Sequence, residues 1–214
     1  MKVDVARAVG AVTREVKAAE REGRPARVVV ATRVYDTDPD DAWDALTNPE
    51  RVRRWFLPLE GDLRPGGRYQ LRGNAGGTIA ACEPPHRLSL TWEYGGEVSW
   101  VEVRLEPLAG GEKTRLTLEH AAHVDDARWG EFGPGAVGVG WDLGLLGLSL
   151  YLDAGGGADD VTAAGQAWAG GDEGKEFIRR CSEGWCQASI AGGTDPQAAR
   201  AAADRTTAFY TGGA

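Results

Sequence analysis

Residues 68–120 alternate apolar and polar side chains with a period of two, and clusters of glycine or proline interrupt the alternation at short intervals. This period is typical of strands that bury one face of a sheet. Turns this short join antiparallel neighbours, so the segment predicts a β-meander. The predicted strands are Arg68–Arg72, Thr78–Cys82, Arg87–Tyr94, Val98–Glu106 and Thr114–His120.

The alternation also assigns side chains to the two faces of the predicted sheet. A slip of one residue would move every side chain to the other face, so the apolar set identifies the inner face. His120 falls on that face and is a candidate polar anchor in an apolar wall. The inner set is Leu88, Leu90, Trp92, Tyr94, Val101, Val103, Leu105, Leu116, Leu118 and His120.

A strand and two short helices are predicted before the meander. Residues 27–35 are rich in β-branched side chains and predict the first strand. Capping residues and prolines then predict one helix over Asp40–Leu46 and a second from Asn48 to about Trp55.

The N-terminal segment shows a different periodicity. Apolar side chains recur at helical intervals over residues 3–22, which predicts an amphipathic helix. We expect this helix to lie on the surface of its own domain, and pairing of two copies into a homodimer is the alternative. Gly23 and Pro25 then break the helix.

The most apolar segment is Ala136–Leu152, with the sequence AVGVGWDLGLLGLSLYL. It is shorter than the ~20 residues of a membrane span and contains Asp142, so we predict a buried core helix. Each of its four glycines costs ~1 kcal/mol relative to alanine, which indicates either close approach of the helix backbone to a curved sheet or room for a ligand. Asp142 needs a partner, with an arginine or His120 as the structural choice and a general base as the alternative.

The rest of the chain is predicted to be helical. Residues 153–174 are acidic and rich in glycine, which indicates a loose link, and helices are predicted over Glu176–Ile190 and Pro196–Phe209. The sequence thus divides into an N-terminal helix (1–25), an α+β domain (26–153) and a linker with a helical extension (154–214).

Charge and cysteine content argue against several classes of partner. The net charge of −8 and the pI of about 5.0 disfavour nucleic acids and anionic membranes. The sequence begins without the apolar core of a signal peptide, and its three cysteines show no redox or metal spacing, which predicts reduced thiols in the cytoplasm. His120 and His123 would point to opposite faces of a strand, so we expect no metal, and no motif indicates another cofactor.

A family resemblance follows from the order of strand, two short helices, meander and long apolar helix. Residues 43–50 (WDALTNPE), 54–56 (RWF) and 62–69 (DLRPGGRY) resemble the START-like superfamily SRPBCC. Within it they are most similar to the branch named after the activator of the ATPase of the ninety-kilodalton heat-shock protein. The resemblance covers residues 26–153 and implies an α+β helix-grip fold. In that fold a curved antiparallel sheet of about six strands wraps around the long helix, and here extra N- and C-terminal helices flank it.

The superfamily includes lipid carriers, hormone receptors and polyketide cyclases, so the resemblance implies a cavity between sheet and helix but no single reaction. We expect binding of a small hydrophobic or aromatic molecule. One alternative is a cyclase-like or lyase-like enzyme with His120 or Asp142 as base, and another is a co-chaperone-like interaction module. The predicted ligand contacts are Trp55, Phe56, Trp92, Val103, Leu118, His120, Trp129, Phe132, Trp141 and Leu145.

Overall fold

The fold is described from a computed structural model that covers residues 2–124, 127–156 and 161–213. The strands are β1 (Val12–Arg21), β2 (Arg24–Tyr35), β3 (Leu59–Gly61), β4 (Arg68–Leu71), β5 (Gly76–Glu83), β6 (Arg87–Tyr94), β7 (Glu97–Leu108) and β8 (Lys113–His123). The helices are α1 (Val5–Gly10), α2 (Pro39–Thr47), α3 (Pro49–Val52), α4 (Ala127–Phe132), α5 (Gly135–Asp153), α6 (Thr162–Ala169), α7 (Asp172–Ala191) and α8 (Pro196–Thr211).

The α+β class and the helix-grip plan are confirmed. Strand β2 leads into the short helices α2 and α3, and the meander that ends with β8 is followed by the long helix α5. The sheet has the strand order β1-β2-β8-β7-β6-β5-β4-β3. It has eight strands instead of about six because β1 and β3 extend it at its two edges.

Most predicted elements form with small shifts at their ends. Asp38 caps α2 by accepting a hydrogen bond from the Asp41 amide, and Asn48 caps α3 by accepting one from the Glu50 amide. In the meander, Leu88 lies opposite Val103 and Leu90 opposite Val101, which is the register that the alternation requires.

The predicted N-terminal helix over residues 3–22 is wrong. Helix α1 is only six residues long, and strand β1 follows it. Val12 and Val16 are the buried positions of β1, and a spacing of four puts two residues on one face of a helix or of a strand. Glu22 and Gly23 have positive φ angles of 51° and 74° and form the hairpin turn to β2, so the predicted helix stop at Gly23 is a turn between two strands.

Three short elements were not predicted. Strand β3 has three residues and pairs with β4. Helix α4 lies within the loop that precedes α5, and α6 lies within the segment expected to be a loose link. The three residues of β3, and the six and eight residues of the helices α4 and α6, cover too few periods of a strand or a helix for periodicity to reveal them.

The chain forms two compact units. The first comprises residues 1–31, 121–143 and 164–214, and the second comprises residues 32–120 and 144–163. In the first unit α7 packs against α8, β1 and α1, and Trp185 and Phe177 are fully buried. In the second, Tyr69, Leu71 and Ile79 form a core cluster on the sheet. The division of the sequence at residues 25 and 153 stays a prediction.

Helix α5 has the length and composition of a membrane span, but 56% of its most apolar window is buried inside the protein. Asp142, near its middle, is completely buried. A core helix meets the same criteria of length and composition, so its burial favours the predicted core helix.

The glycines of α5 permit close approach by aromatic and loop groups. A Cβ atom on Gly138 would lie 2.3 Å from the Trp185 ring, and one on Gly147 would lie 2.7 Å from the Trp55 carbonyl oxygen. At Gly144 the nearest group is the Phe56 ring at 3.6 Å, which is an ordinary contact. Close approach is thus found at Gly138 and Gly147, and it is made by the Trp185 ring of α7 and the Trp55 backbone instead of the predicted curved sheet.

Candidate functional site

The inner face of the sheet in the second unit is apolar, as the alternation predicted. Val103, Leu118 and His120 are buried on it, together with Val101, Leu105 and Leu116. Strand β6 differs, because Leu88, Leu90 and Trp92 are only half-buried, and Tyr94, at the end of the strand, is exposed. The inner face therefore combines a buried part on β7 and β8 with a partly open part on β6.

His120 is held at the junction of these two parts. Its Nε2 atom lies 2.8 Å from the Ser99 hydroxyl, and its ring lies 5.9 Å from the Trp92 ring. The Ser99 hydroxyl also donates to the Trp92 carbonyl oxygen at 3.1 Å, so it links the imidazole to the backbone of β6. Burial lowers the pKa of His120 to about 4, so the ring is uncharged at neutral pH. This is a polar anchor in an apolar wall, and it is a weak base.

The low pKa of His120 predicts a loss of stability in acid. The unfolded histidine takes up a proton near its ordinary pKa of about 6.5, whereas the folded one stays neutral down to about pH 4, so stability falls as pH falls through that window. We expect the free energy of unfolding in urea to drop by about 2 kcal/mol more between about pH 7 and pH 4.5 in the wild type than in His120→Gln. The exposed His86 provides the control, and an equal effect of His86→Gln would contradict this assignment.

Trp55 and Phe56 form a second aromatic wall. They follow α3 and stack with ring centroids 5.4 Å apart. The Trp55 indole N–H donates to the Ala45 carbonyl oxygen at 2.9 Å, which fixes the ring against α2. The Phe56 ring lies against Gly144 of α5 and packs against the core cluster of β4 and β5. Both side chains are half-buried.

The partly open apolar surface is continuous with the core of the second unit. Several half-buried side chains pack against the buried cluster of Tyr69, Leu71 and Ile79, and they come from β3, β5, β6 and the loops beside them. They are Phe56, Leu57, Leu59, Leu63, Cys82, Leu88, Leu90 and Trp92.

Arg33 is a functional candidate that we did not predict. It is 8% exposed and lies on the same face of β2 as the buried Tyr35. Its Nη2 atom donates to the Ser149 hydroxyl at 2.7 Å, and its guanidinium lies 5.4 Å from the Tyr35 ring centroid. Nε and Nη1 have no hydrogen-bond partner among the residues that the structure describes. The signal was present, because the alternation of Ala31, Arg33 and Tyr35 puts the arginine on the buried face.

Leu145 of α5 contacts Tyr35, whose ring lies beside this arginine. Its carbonyl oxygen accepts a hydrogen bond from the Tyr35 hydroxyl at 3.1 Å, and its side chain is buried. Burial raises the pKa of Tyr35, so the phenol stays protonated and remains a donor. Leu145 is therefore a predicted contact that the structure places next to Tyr35 and Ser149.

Asp142 has the structural role that we expected, with an arginine as its partner. Arg14 forms a bidentate pair with it at 2.9 and 3.1 Å, and the Trp185 indole N–H donates to it at 2.8 Å. Burial raises the pKa of the Asp142 carboxyl, and Arg14 and Trp185 oppose that shift. Both carboxylate oxygens are occupied and the side chain is completely buried, so the geometry favours a structural ion pair over a general base.

The other predicted contacts of the first unit lie on α4 and α5. Trp129 and Trp141 are half-buried. The Phe132 ring lies 5.4 Å from the Phe209 ring, and its carbonyl oxygen accepts from the Thr206 hydroxyl at 3.2 Å. Their role in binding stays a prediction. Asp125, considered beside His123 at the mouth of the cavity, lies outside the described residues. Within residues 2–124, 127–156 and 161–213 no group of three metal-ligating side chains occurs.

Comparison with known proteins gives a family and a set of similar folds. The family model described as activator of Hsp90 ATPase homolog 1-like protein matches residues 36–153. CalU16 from Micromonospora echinospora is 32% identical to this chain. Its crystal structure gives a TM-score of 0.68 and covers 84% of this chain and 99% of its own. Its solution NMR structure gives a TM-score of 0.70 with coverage of 86% and 97%.

Two further structures extend the comparison. MLL2253 from Mesorhizobium loti is 26% identical, with a TM-score of 0.53 over 60% of this chain and 98% of its own. EF2215 from Enterococcus faecalis is 14% identical and shows the fold alone, with a TM-score of 0.60 over 86% of this chain and 95% of its own. No protein with a curated functional description matches the sequence significantly.

Proposed function

This chain belongs to the family of activator of Hsp90 ATPase homolog 1-like proteins, and on that premise we propose that it binds a small hydrophobic or aromatic molecule. The binding surface is the inner face of the sheet in its second unit. The fold is compatible with binding or with cyclase-like chemistry, and the geometry of the side chains supports binding.

One observation carries the proposal. Leu88, Leu90 and Trp92 belong to the apolar face of β6 and yet remain half-buried. Val103 and Val101, which lie opposite Leu88 and Leu90 on β7, are buried. Half-buried apolar groups on an inner face retain contact with water. An apolar ligand that displaces this water is favoured to bind there. Phe56 and Leu57, also half-buried, add to the same surface.

Burial of the ligand supplies the driving force and sets an upper limit on the affinity. Burial of about 300 Å² of ligand surface at ~25 cal/mol/Å² yields roughly 7 kcal/mol before the costs of ordering the ligand are subtracted. His120 adds orientation, because its neutral imidazole is fixed by Ser99 and lies beside Trp92.

The surroundings of His120 and Asp142 support a role as general base less well than they support ligand binding. A histidine with a pKa of about 4 binds protons weakly at neutral pH, and the oxygens of Asp142 are engaged by Arg14 and Trp185.

We further propose that the protein acts in the cytoplasm. Its net charge of −8 supports neither nucleic acid nor an anionic membrane as a partner.

The test is a fluorescence titration with the neutral probe N-phenylnaphthylamine. Trp92 and Trp100 are matched, because they lie on neighbouring strands and are both half-buried, but only Trp92 is on the inner face. We expect Trp92→Leu to weaken the probe's Kd about tenfold, since an aromatic contact beyond simple burial is worth ~0.5–1.5 kcal/mol and the lost ring area adds to it. Trp100→Leu is the control and should change the Kd less than about twofold.

Two results would count against the proposal. Equal loss of affinity in the two variants would place the probe elsewhere on the protein. Absence of saturable binding to the wild type, together with a failure of decanol to raise its melting temperature, would reject the inner face as an apolar binding surface.

A further inference from the structure

We propose that the ligand carries an anionic group, a carboxylate or a sulfonate, and that Arg33 binds it. This inference rests on the proposed function and extends it, because it specifies an amphipathic guest with one apolar body and one negative end. The structure brings three features together at this position: a buried guanidinium, its incomplete hydrogen bonding and its place on the inner face.

The burial of Arg33 is the first feature. An arginine that is 8% exposed has lost nearly all contact with bulk water, and a buried charge is costly unless it is paired. Arg14, whose side chain is 7% exposed, shows how a buried guanidinium is paired elsewhere in this chain. Arg14 has five hydrogen bonds, to Asp142, Cys181 and the Val9 and Val12 carbonyl oxygens.

The incomplete hydrogen bonding of Arg33 is the second feature. Its one hydrogen bond goes to the neutral Ser149 hydroxyl, and Nε and Nη1 have no partner within the described part of the chain. The nearest carboxylate in this network is Asp153, whose Oδ2 atom accepts from the Ser149 hydroxyl at 3.3 Å. The guanidinium therefore has two buried nitrogen atoms whose hydrogen bonds are not satisfied by the described residues, and an acceptor on a ligand would satisfy them.

The chemistry of these two nitrogen atoms specifies the acceptor. A guanidinium presents its N–H groups in a planar fork that matches two oxygens of a carboxylate or a sulfonate. Tyr35 covers one side of this fork with its ring, and its hydroxyl is committed to the Leu145 carbonyl oxygen. Tyr35 thus supports the guanidinium without competing for the ligand.

The position of Arg33 is the third feature. It lies on the buried face of β2, and β2 is next to β8 in the sheet. Thr32 Oγ1 lies 3.4 Å from Thr117 Oγ1 across these strands, so the neighbouring inner residues of β8 are Leu116 and Leu118. Arg33 therefore lies on the same face of the sheet as the proposed apolar surface, with β8 and β7 between β2 and β6.

The experiment compares two probes that share an aromatic body. Anilinonaphthalene sulfonate carries a sulfonate, and N-phenylnaphthylamine lacks it. We expect Arg33→Met to reduce the ratio of sulfonate-probe affinity to neutral-probe affinity at least tenfold, because a charge-assisted bidentate contact is lost. Arg33→Lys should give a smaller reduction, since it keeps the charge and loses the planar fork.

The control is Arg115→Met on β8. Arg115 is exposed and pairs with Glu106, so the same change of side chain should leave the affinity ratio within about twofold of the wild type. The melting temperature supplies a further readout. If Arg33 binds the ligand and is bonded directly to no carboxylate among the described residues, Arg33→Met should melt no lower than the wild type, whereas a structural Arg33 predicts a lower melting temperature.

The outcomes separate this inference from the proposed function. If the neutral probe binds and the affinity ratio is the same in Arg33→Met and the wild type, the proposal that Arg33 binds an anionic group is rejected. The proposal of apolar binding is then unaffected. If neither probe binds the wild type, the proposed function itself fails. Should Arg33→Met not fold, the wild type still decides, because decanoate must raise its melting temperature more than decanol does at equal concentration.

Discussion

Asp142→Ala is expected to lower the free energy of unfolding by about 3–5 kcal/mol, as measured by urea denaturation. The variant leaves the Arg14 guanidinium buried without its counterion, since the side chains of Arg14 and Asp142 are 7% and 0% exposed. It also removes the acceptor of the Trp185 indole N–H. A buried charge that loses its partner costs far more than the pair contributed.

The matched control is an exposed ion pair. Glu60 pairs with Arg72 at 2.5 Å, and both side chains are more than half exposed. Glu60→Ala should therefore change the free energy of unfolding by less than about 1 kcal/mol. Replacing both partners of the buried pair, as Arg14→Met with Asp142→Leu, should recover most of the loss. If Asp142→Ala lowers the free energy of unfolding no more than Glu60→Ala does, the stabilising role of the buried pair is contradicted.

Gly138→Ala is expected to destabilise the protein by about 2–3 kcal/mol, although alanine is the better helix former. The new Cβ would lie 2.3 Å from the ring of Trp185, which is fully buried and cannot move aside without disturbing its neighbours. Overpacking of this kind displaces side chains or backbone. The measurement is again the free energy of unfolding in urea.

Gly165 provides the opposite case. It lies inside α6, and a Cβ atom there would meet nothing within 4 Å. Gly165→Ala should therefore stabilise the protein, by up to about 1 kcal/mol, because only helix propensity changes. Effects of the same sign and size at Gly138 and Gly165 would show that the Gly138 contact with Trp185 does not limit the packing of α5.

The meander was predictable because most of its strands are long and about half of the side chains in each strand are apolar. Eight residues of β6 contain four alternations, and such a pattern fits a strand and no helix. The N-terminal segment lacked this redundancy. Val12 and Val16 suit either structure, and the decision depends on a hairpin turn at Glu22-Gly23 and on pairing with β2, which local periodicity does not reveal.

The candidate site was predictable in its apolar part and not in its polar part. His120 and Trp92 share the inner face by alternation alone, and their rings are indeed neighbours. The pairing of Arg14 with Asp142 joins residues 128 positions apart, and the partial hydrogen bonding of Arg33 depends on where Ser149 lies. Such long-range pairs follow from the packing of elements, and the alternation of β2 indicates only which side chains face inward.

The corrected N-terminus also changes how an interaction module would be tested. Deletion of residues 1–22 would test an interaction module cleanly only if they formed a separate helix. Those residues contain strand β1 and Arg14, so the deletion removes an edge strand and the counterion of Asp142. Loss of a partner after this deletion would reflect loss of folding as readily as loss of an interface.

The most direct test of an apolar guest on the inner face is a crystal structure of the protein grown with N-phenylnaphthylamine. The account predicts electron density for the probe in contact with Trp92 and Leu90 on β6 and close to His120. Density confined to the outer face beside Trp100, or an inner face closed by its own side chains in crystals that contain saturating probe, would contradict it.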